Sequence, residues 1–188
     1  AQLSNSAGSF ASPVSIGTLA STANSGTIAC TIPGGTAQGL GYRIRVVSSN
    51  PAITGSDNGT NISIYQTVSN AGTITGSSIV CQSQTGVVYS VPAITNATTY
   101  TWTLPTGASI TAGSNTNSIT VSYSASAISG TITVTGSNPC STGSTSAAFA
   151  VTVNVIPVAA GAISGSGFIC QNQSATYSVG AITNATSY

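Results

Sequence analysis

Apolar and polar residues alternate with a period of two along most of this chain. Tyr42, Ile44 and Val46 alternate with Arg43 and Arg45. Tyr100, Trp102 and Leu104 alternate with Thr101 and Thr103, and Ile119, Val121 and Tyr123 with Thr120 and Ser122. The pattern returns at Ile132 and Val134, and again at Phe149, Val151 and Val153. Two-residue alternation marks strands with one buried face, and no segment keeps the i, i+3, i+4, i+7 spacing of an amphipathic helix over three turns. Between the runs lie the turn-rich clusters PGG, SDNG, PTG and SNP, at the spacing expected of a β-sandwich. The predicted fold class is all-β, built as tandem immunoglobulin-like sandwich modules.

The chain repeats itself, which divides it further. AGTITGSSIVCQSQ from Ala71 returns as AGAISGSGFICQNQ from Ala160 with 8 of 14 positions identical. YSVPAITNATTY from Tyr89 returns as YSVGAITNATSY from Tyr177 with 10 of 12 identical. Three regions follow: 1–70, the C-terminal part of a sandwich module cut at its start; 71–159, one complete seven-stranded sandwich; and 160–188, the beginning of a second repeat. Tyr89, Val91, Tyr100, Trp102, Leu104, Ile119, Val121, Ile132, Val134 and Val151 are expected inside the complete module. A buried Trp on the third strand is a familiar core feature of immunoglobulin-like sandwiches.

Composition narrows the chemistry. The 188 residues contain no His and no Met, and their charged side chains are Arg43, Arg45 and Asp57, 2% of the chain where ordinary domains carry about 25%. Ser and Thr make up roughly a third, so hydroxyl and amide groups keep the surface wet. Hydrophobic residues still reach 40%, enough for each module to bury a core rather than stay disordered. No apolar run is long enough for a membrane-spanning helix, and the opening AQLSNSAGSF lacks the features of a signal peptide.

These absences weigh against catalysis. Glycoside hydrolysis needs two carboxylates, and a serine or cysteine nucleophile normally needs a base such as His. No phosphate loop, nucleophile elbow or metal-ligand cluster occurs, so no cofactor and no metal are expected. Two arginines do not make a nucleic-acid surface, which relies on many phosphate contacts. Asp57 in SDNGT fits turn chemistry better than a calcium site, which wants six to eight oxygens.

With these residues in view, the segments YTWTLPTGASI, SITVSY, SGTITVTGSNPC and AFAVTVNV following Cys81 and YSV resemble the PKD-like immunoglobulin-type repeat of giant secreted Bacteroidetes proteins. Residues 1 to about 64 are similar to a β-sandwich module that often accompanies such repeats. The resemblance implies a secreted or cell-surface location, export by the type IX route, and a structural or adhesive role, spacing or presenting adhesive elements. Two alternatives stay open: a subunit of an extracellular fibre completed by strands of neighbouring like chains, and a carbohydrate-binding accessory module. Partners would be adjacent repeats of the same polypeptide, like chains, or a polysaccharide or other surface, with no nucleic acid and no membrane insertion.

Two sets of site residues are expected. Cys30, Cys81, Cys140 and Cys170 include no CxxC pair, so in an exported protein disulfides are favoured over zinc. Cys81 and Cys140 share one module and form the expected bridge, although a simple immunoglobulin order could put them at opposite poles. The second set follows by alternation. Thr99, Thr101 and Thr103 leave the third strand opposite Trp102, and Thr131, Thr133 and Thr135 leave the sixth opposite Ile132 and Val134, with Ala150, Thr152 and Asn154 beside them. This uncharged Thr array is the candidate contact face. Five glycosylation sequons, at Asn58, Asn61, Asn96, Asn172 and Asn184, arise readily by chance in so Ser/Thr-rich a chain.

Overall fold

The structure, a computed structural model, describes residues 1–23 and 25–187. All regular elements among them are strands, and the chain divides into two compact units.

The first unit holds residues 1–69 with the loops 95–98 and 137–143. Its strands are β1 (Gln2–Leu3), β2 (Val14–Ser15), β3 (Gly39–Tyr42), β4 (Ile44–Ser49), β5 (Ala52–Asp57) and β6 (Ile62–Ile64). One sheet has the order β2-β1-β4-β5, and β3 pairs with β6 in another. Leu3, Ile16 and Tyr42 form the core, with Ile44, Ile62 and Ile64 packed against it.

The alternating run 42–46, expected as a single strand, is broken at Arg43. Tyr42 ends the ladder to Ile62, and Ile44 opens the ladder to Leu3. Between them, Ser4 takes both backbone groups of Arg43. Its amide donates to the Arg43 carbonyl at 2.9 Å, and its Oγ accepts from the Arg43 amide at 2.7 Å. The side-chain period survives, but the chain changes sheets.

The second unit contains 70–94, 99–136 and the residues from 144 onward. Its elements are β7 (Thr75–Gly76), β8 (Ile79–Cys81), β9 (Val87–Ser90), β10 (Thr99–Thr103), β11 (Ala108–Ala112), β12 (Ser118–Tyr123), β13 (Gly130–Asn138) and β15 (Phe149–Asn154); the last two residues of β13 belong to the first unit and pair there with β14 (Ser141–Thr142). One sheet runs β10-β13-β15-β8, the other β11-β12-β9-β7. This is an immunoglobulin-like sandwich.

The expected seven strands become more because the first one divides. β7 pairs antiparallel with β9, whereas β8 crosses to pair parallel with β15. Gly76 stands at the crossing, where a Cβ would lie 2.3 Å from the Tyr89 ring. Only a residue without a side chain lets that ring close over the strand.

The core joins Ile74, Val80, Val87, Tyr89, Val91, Trp102, Ile119, Val121, Tyr123, Ile132, Val134, Val151 and Val153. Of the residues expected inside, Tyr100 and Leu104 are only half-buried at its margin. The Tyr100 hydroxyl points out to accept from the Ile94 amide at 3.0 Å. Buried Trp102 donates its indole N–H to the Thr116 carbonyl at 2.9 Å, which removes the cost of burying that group unpaired. The Tyr89 hydroxyl lies 2.9 Å from the Ser77 carbonyl and 2.8 Å from the Tyr123 hydroxyl. Burial, then the bond to Tyr123 and its charge, push the Tyr89 phenol well above its ordinary range. Burial also raises Tyr123, partly offset by its bond to Tyr89.

Candidate functional site

β10, β13 and β15 are consecutive neighbours in one sheet. Ile132 and Val134 are buried, so their neighbours on β13 leave by the outer face. Thr131 is exposed there, and Thr133 and Thr135 are half-buried. Thr99, Thr101 and Thr103 are exposed on β10. Thr131 stands across from Ala150, and the Thr135 hydroxyl lies 2.9 Å from that of Thr145.

Parallel pairing extends this face beyond what alternation within single strands could reach. Thr152 stands beside Ile79, and Asn154 beside Cys81, and both β8 residues are exposed. The outer face therefore runs from a Thr ladder through a second one to a margin carrying an aliphatic side chain and a thiol. Ile79 was missed, and Cys81 was singled out only for a bridge and not for this face, because nothing local in GSSIVCQ announces a parallel partner on β15.

The expected Cys81–Cys140 bridge is corrected: all four cysteines are free and exposed. Cys81 closes β8, where Gln82 Nε2 donates to the Ala127 carbonyl and the Ser83 amide to the Ser124 carbonyl, just ahead of β13. Cys140 follows the other end of β13. At about 3.3 Å per residue that strand separates its ends by about 26 Å, whereas a disulfide holds its Cα atoms roughly 4.4 to 6.8 Å apart.

The charged residues are engaged locally. Arg43 Nη1 is 3.2 Å from Asp57 Oδ1, and its Nε donates to Asn61 Oδ1 at 2.9 Å. Arg45 Nε donates to Gln2 Oε1 at 2.9 Å, with its guanidinium 4.4 Å from the centre of the Phe10 ring. Asp57 Oδ1 also accepts from the Gly59 amide at 2.7 Å, the turn chemistry expected of SDNG. Among the sequon residues, Asn96 and Asn184 hold the same left-handed conformation, with φ of 63° and 67°.

Among the described residues no group of three or more His, Cys, Asp or Glu lies together, and every buried side-chain nitrogen or oxygen has a hydrogen-bond partner. No helix among them is long and apolar enough to cross a membrane. Two open depressions lie in the first unit. One, of about 820 Å³, lies between β4 and the segment after β2; the other, of about 550 Å³, is lined by Ile32, Ile62, Ile64, Tyr65, Asn96 and Cys140. Both lack charged side chains.

No match to the chain was found among the curated proteins or among the solved structures. The PKD-like domain family matches residues 67–151 and again 156–188. Domains of this family are typically extracellular and non-catalytic. The two matches cover more than half of the chain, and they coincide with a closed two-sheet sandwich and with the segment that repeats its opening strands. The chain belongs to the PKD-like domain family.

Proposed function

We propose that this chain is a structural and adhesive repeat region of a large secreted bacterial cell-surface protein, exported by the type IX route, which spaces or presents adhesive elements. The observation that supports this best is the outer face of the β10-β13-β15-β8 sheet. It offers ordered rows of hydroxyls from Thr101, Thr103, Thr131 and Thr133 on a sandwich whose opposite side is sealed by Trp102, Ile132 and Val134. Cross-strand Thr pairs contribute only roughly 0.2 to 1 kcal/mol each to the sheet, and no charge on this face opposes approach to a polar, uncharged surface such as polysaccharide.

Presentation by an uncharged sheet face fits better than sugar stacking on an aromatic platform, because Trp102 is 9% exposed and its indole N–H is already committed. The test is the double substitution Thr101→Lys with Thr133→Lys, with adhesion to a neutral polysaccharide surface measured over a range of salt concentrations. Both positions point away from the core, so the variant is expected to fold and to lose adhesion. A folded variant that adheres like the parent would reduce the Thr face to a solvated sheet surface.

A further inference from the structure

We infer that Asn58 is a self-modifying site. The fold sets around it the groups that close its side chain onto the Gly59 nitrogen, so that the folded chain expels ammonia and forms a succinimide, which water opens to aspartate or isoaspartate. This site stands apart from the Thr face of the proposed role, on residues of the first unit.

Asn58-Gly59 is the one Asn-Gly pair in the chain. The nucleophile in this cyclisation is the backbone nitrogen that follows the asparagine, and a glycine there adds no side chain to obstruct the ring. No atom lies within 4 Å of the place where a Gly59 Cβ would be, so the ring closes into open space. Asn58 and Gly59 are both exposed, and water reaches the product.

Three demands must be met as the ring forms. The Gly59 N–H gives up its proton, the Asn58 carbonyl oxygen takes on negative charge, and the Asn58 amide nitrogen leaves with an added proton. The turn between β5 and β6 supplies a group at each atom. Asp57 Oδ1 accepts from the Gly59 amide at 2.7 Å, the reach of a general base. The Ile44 amide donates to Asn58 Oδ1 at 2.9 Å, where an oxyanion donor belongs. Asn58 Nδ2 lies 3.1 Å from the Thr60 hydroxyl, a proton source for the departing nitrogen.

The carboxamide is also aimed. Nδ2 donates to the Thr60 carbonyl at 2.7 Å, so the side chain folds forward along the Gly59 peptide. The Asn58 backbone amide donates to the Ile44 carbonyl at 2.8 Å, which ties residue 58 to β4 by main chain and side chain together. Such fixed placement replaces the search through rotamers that an unfolded chain must make. Arg43 Nη1, 3.2 Å from Asp57 Oδ1, holds the carboxylate in position.

The step involves no oxidant or reductant. The Gly59 nitrogen bonds to Asn58 Cγ as the Cγ–Nδ2 bond breaks. The Gly59 proton passes to Asp57, Nδ2 takes a proton from the Thr60 hydroxyl, and Asp57 returns its proton to Thr60 through solvent as ammonia departs. Water then adds to one of the two ring carbonyls. One opening restores the ordinary backbone as aspartate, and the other routes the chain through the side chain as isoaspartate. Either product places a second carboxylate beside Asp57 and lowers the formal net charge by one from its present +1. It also removes the donor to the Thr60 carbonyl, so the change marks the first unit in one direction only.

The test incubates the full chain in neutral buffer and follows residue 58 by intact mass, ammonia release and peptide mapping for isoaspartate. Folded parent is expected to convert about 100-fold faster than parent unfolded in urea, the low end of what a positioned acid or base contributes. Asp57→Asn keeps an oxygen for the Gly59 amide but has no base, so with hydrogen exchange at Ile44 unchanged it should fall to the unfolded rate. Asn58→Gln should release no ammonia from this position. Folded parent that converts no faster than unfolded parent would overturn the inference, because the same hydrogen bonds would then be shielding Asn58. An Asp57→Asn variant as fast as the parent would overturn it too. The comparison of folded with unfolded parent uses no substitution, so it decides even where Asp57→Asn disturbs the turn.

Discussion

Replacing Tyr89 by Phe removes one oxygen from the most buried ring of the sandwich and leaves its shape intact. The ring has no exposure and meets Phe149 edge-on at 5.8 Å, so packing is preserved and the hydroxyl bonds alone are lost. Two groups lose a partner: the Ser77 carbonyl and the Tyr123 hydroxyl. A buried polar group left unsatisfied costs about 1 to 3 kcal/mol. The Ser77 carbonyl sits near the surface and recovers some hydration, which places the expected loss at about 2 to 3 kcal/mol. Tyr123→Phe leaves the Tyr89–Ser77 bond in place and should cost only about 1 kcal/mol. In the double variant the orphaned Tyr123 hydroxyl is gone, so its cost should fall below the sum by about 1 kcal/mol. Urea unfolding followed by the fluorescence of Trp102, the single Trp, measures all three. A Tyr89→Phe variant within about 0.5 kcal/mol of the parent, or additive single effects, would refute the reasoning that these coupled hydroxyl bonds stabilise the sandwich.

The same two phenols predict an alkaline limit. Both phenols titrate in the folded chain above the ordinary tyrosine value of about 10, so the stability they contribute is complete below that value and is lost as pH rises above it, with a slope of up to about 1.4 kcal/mol per pH unit for each tyrosine; urea midpoints from pH 8 to 12 should show the fall, and the double Phe variant should flatten it. Gly107 has φ of +81°, and a Cβ there would stand 2.6 Å from the Ala127 Cα, so Gly107→Ala should destabilise the sandwich by at least about 1 to 3 kcal/mol, read as a lower urea midpoint. Asn138 donates to the Gln66 and Asn96 carbonyls and accepts from the Cys140 and Ser141 amides; at about 1 kcal/mol each, Asn138→Ala should cost about 3 to 4 kcal/mol of local stability, visible as faster hydrogen exchange at Cys140 and Ser141.

The sandwich was legible in the sequence where its signal is local. Alternation at Tyr100–Leu104 and Ile119–Tyr123 reports which side of each strand is buried, and that information lies within a few residues. The outward Thr positions follow from it directly. What depended on distant pairing could not be read. The split of the first strand into β7 and β8 is decided by a parallel partner on β15 and by the Tyr89 ring over Gly76. The break at Arg43 is decided by Ser4. The cysteine pairing failed for the same reason: sharing a module says nothing about which end of β13 each cysteine occupies. Asn138 was visible as a turn residue in SNP, but its carbonyl partners come from the segment before Ala71 and from the loop that starts at Thr95.

The central claim is that this chain belongs to a surface structure outside the cell. Immunogold electron microscopy of intact cells, with antibodies raised against the folded chain, tests it most directly. The account predicts gold along extracellular stalks or filaments without permeabilisation. Label that appears only after the cells are opened would contradict it.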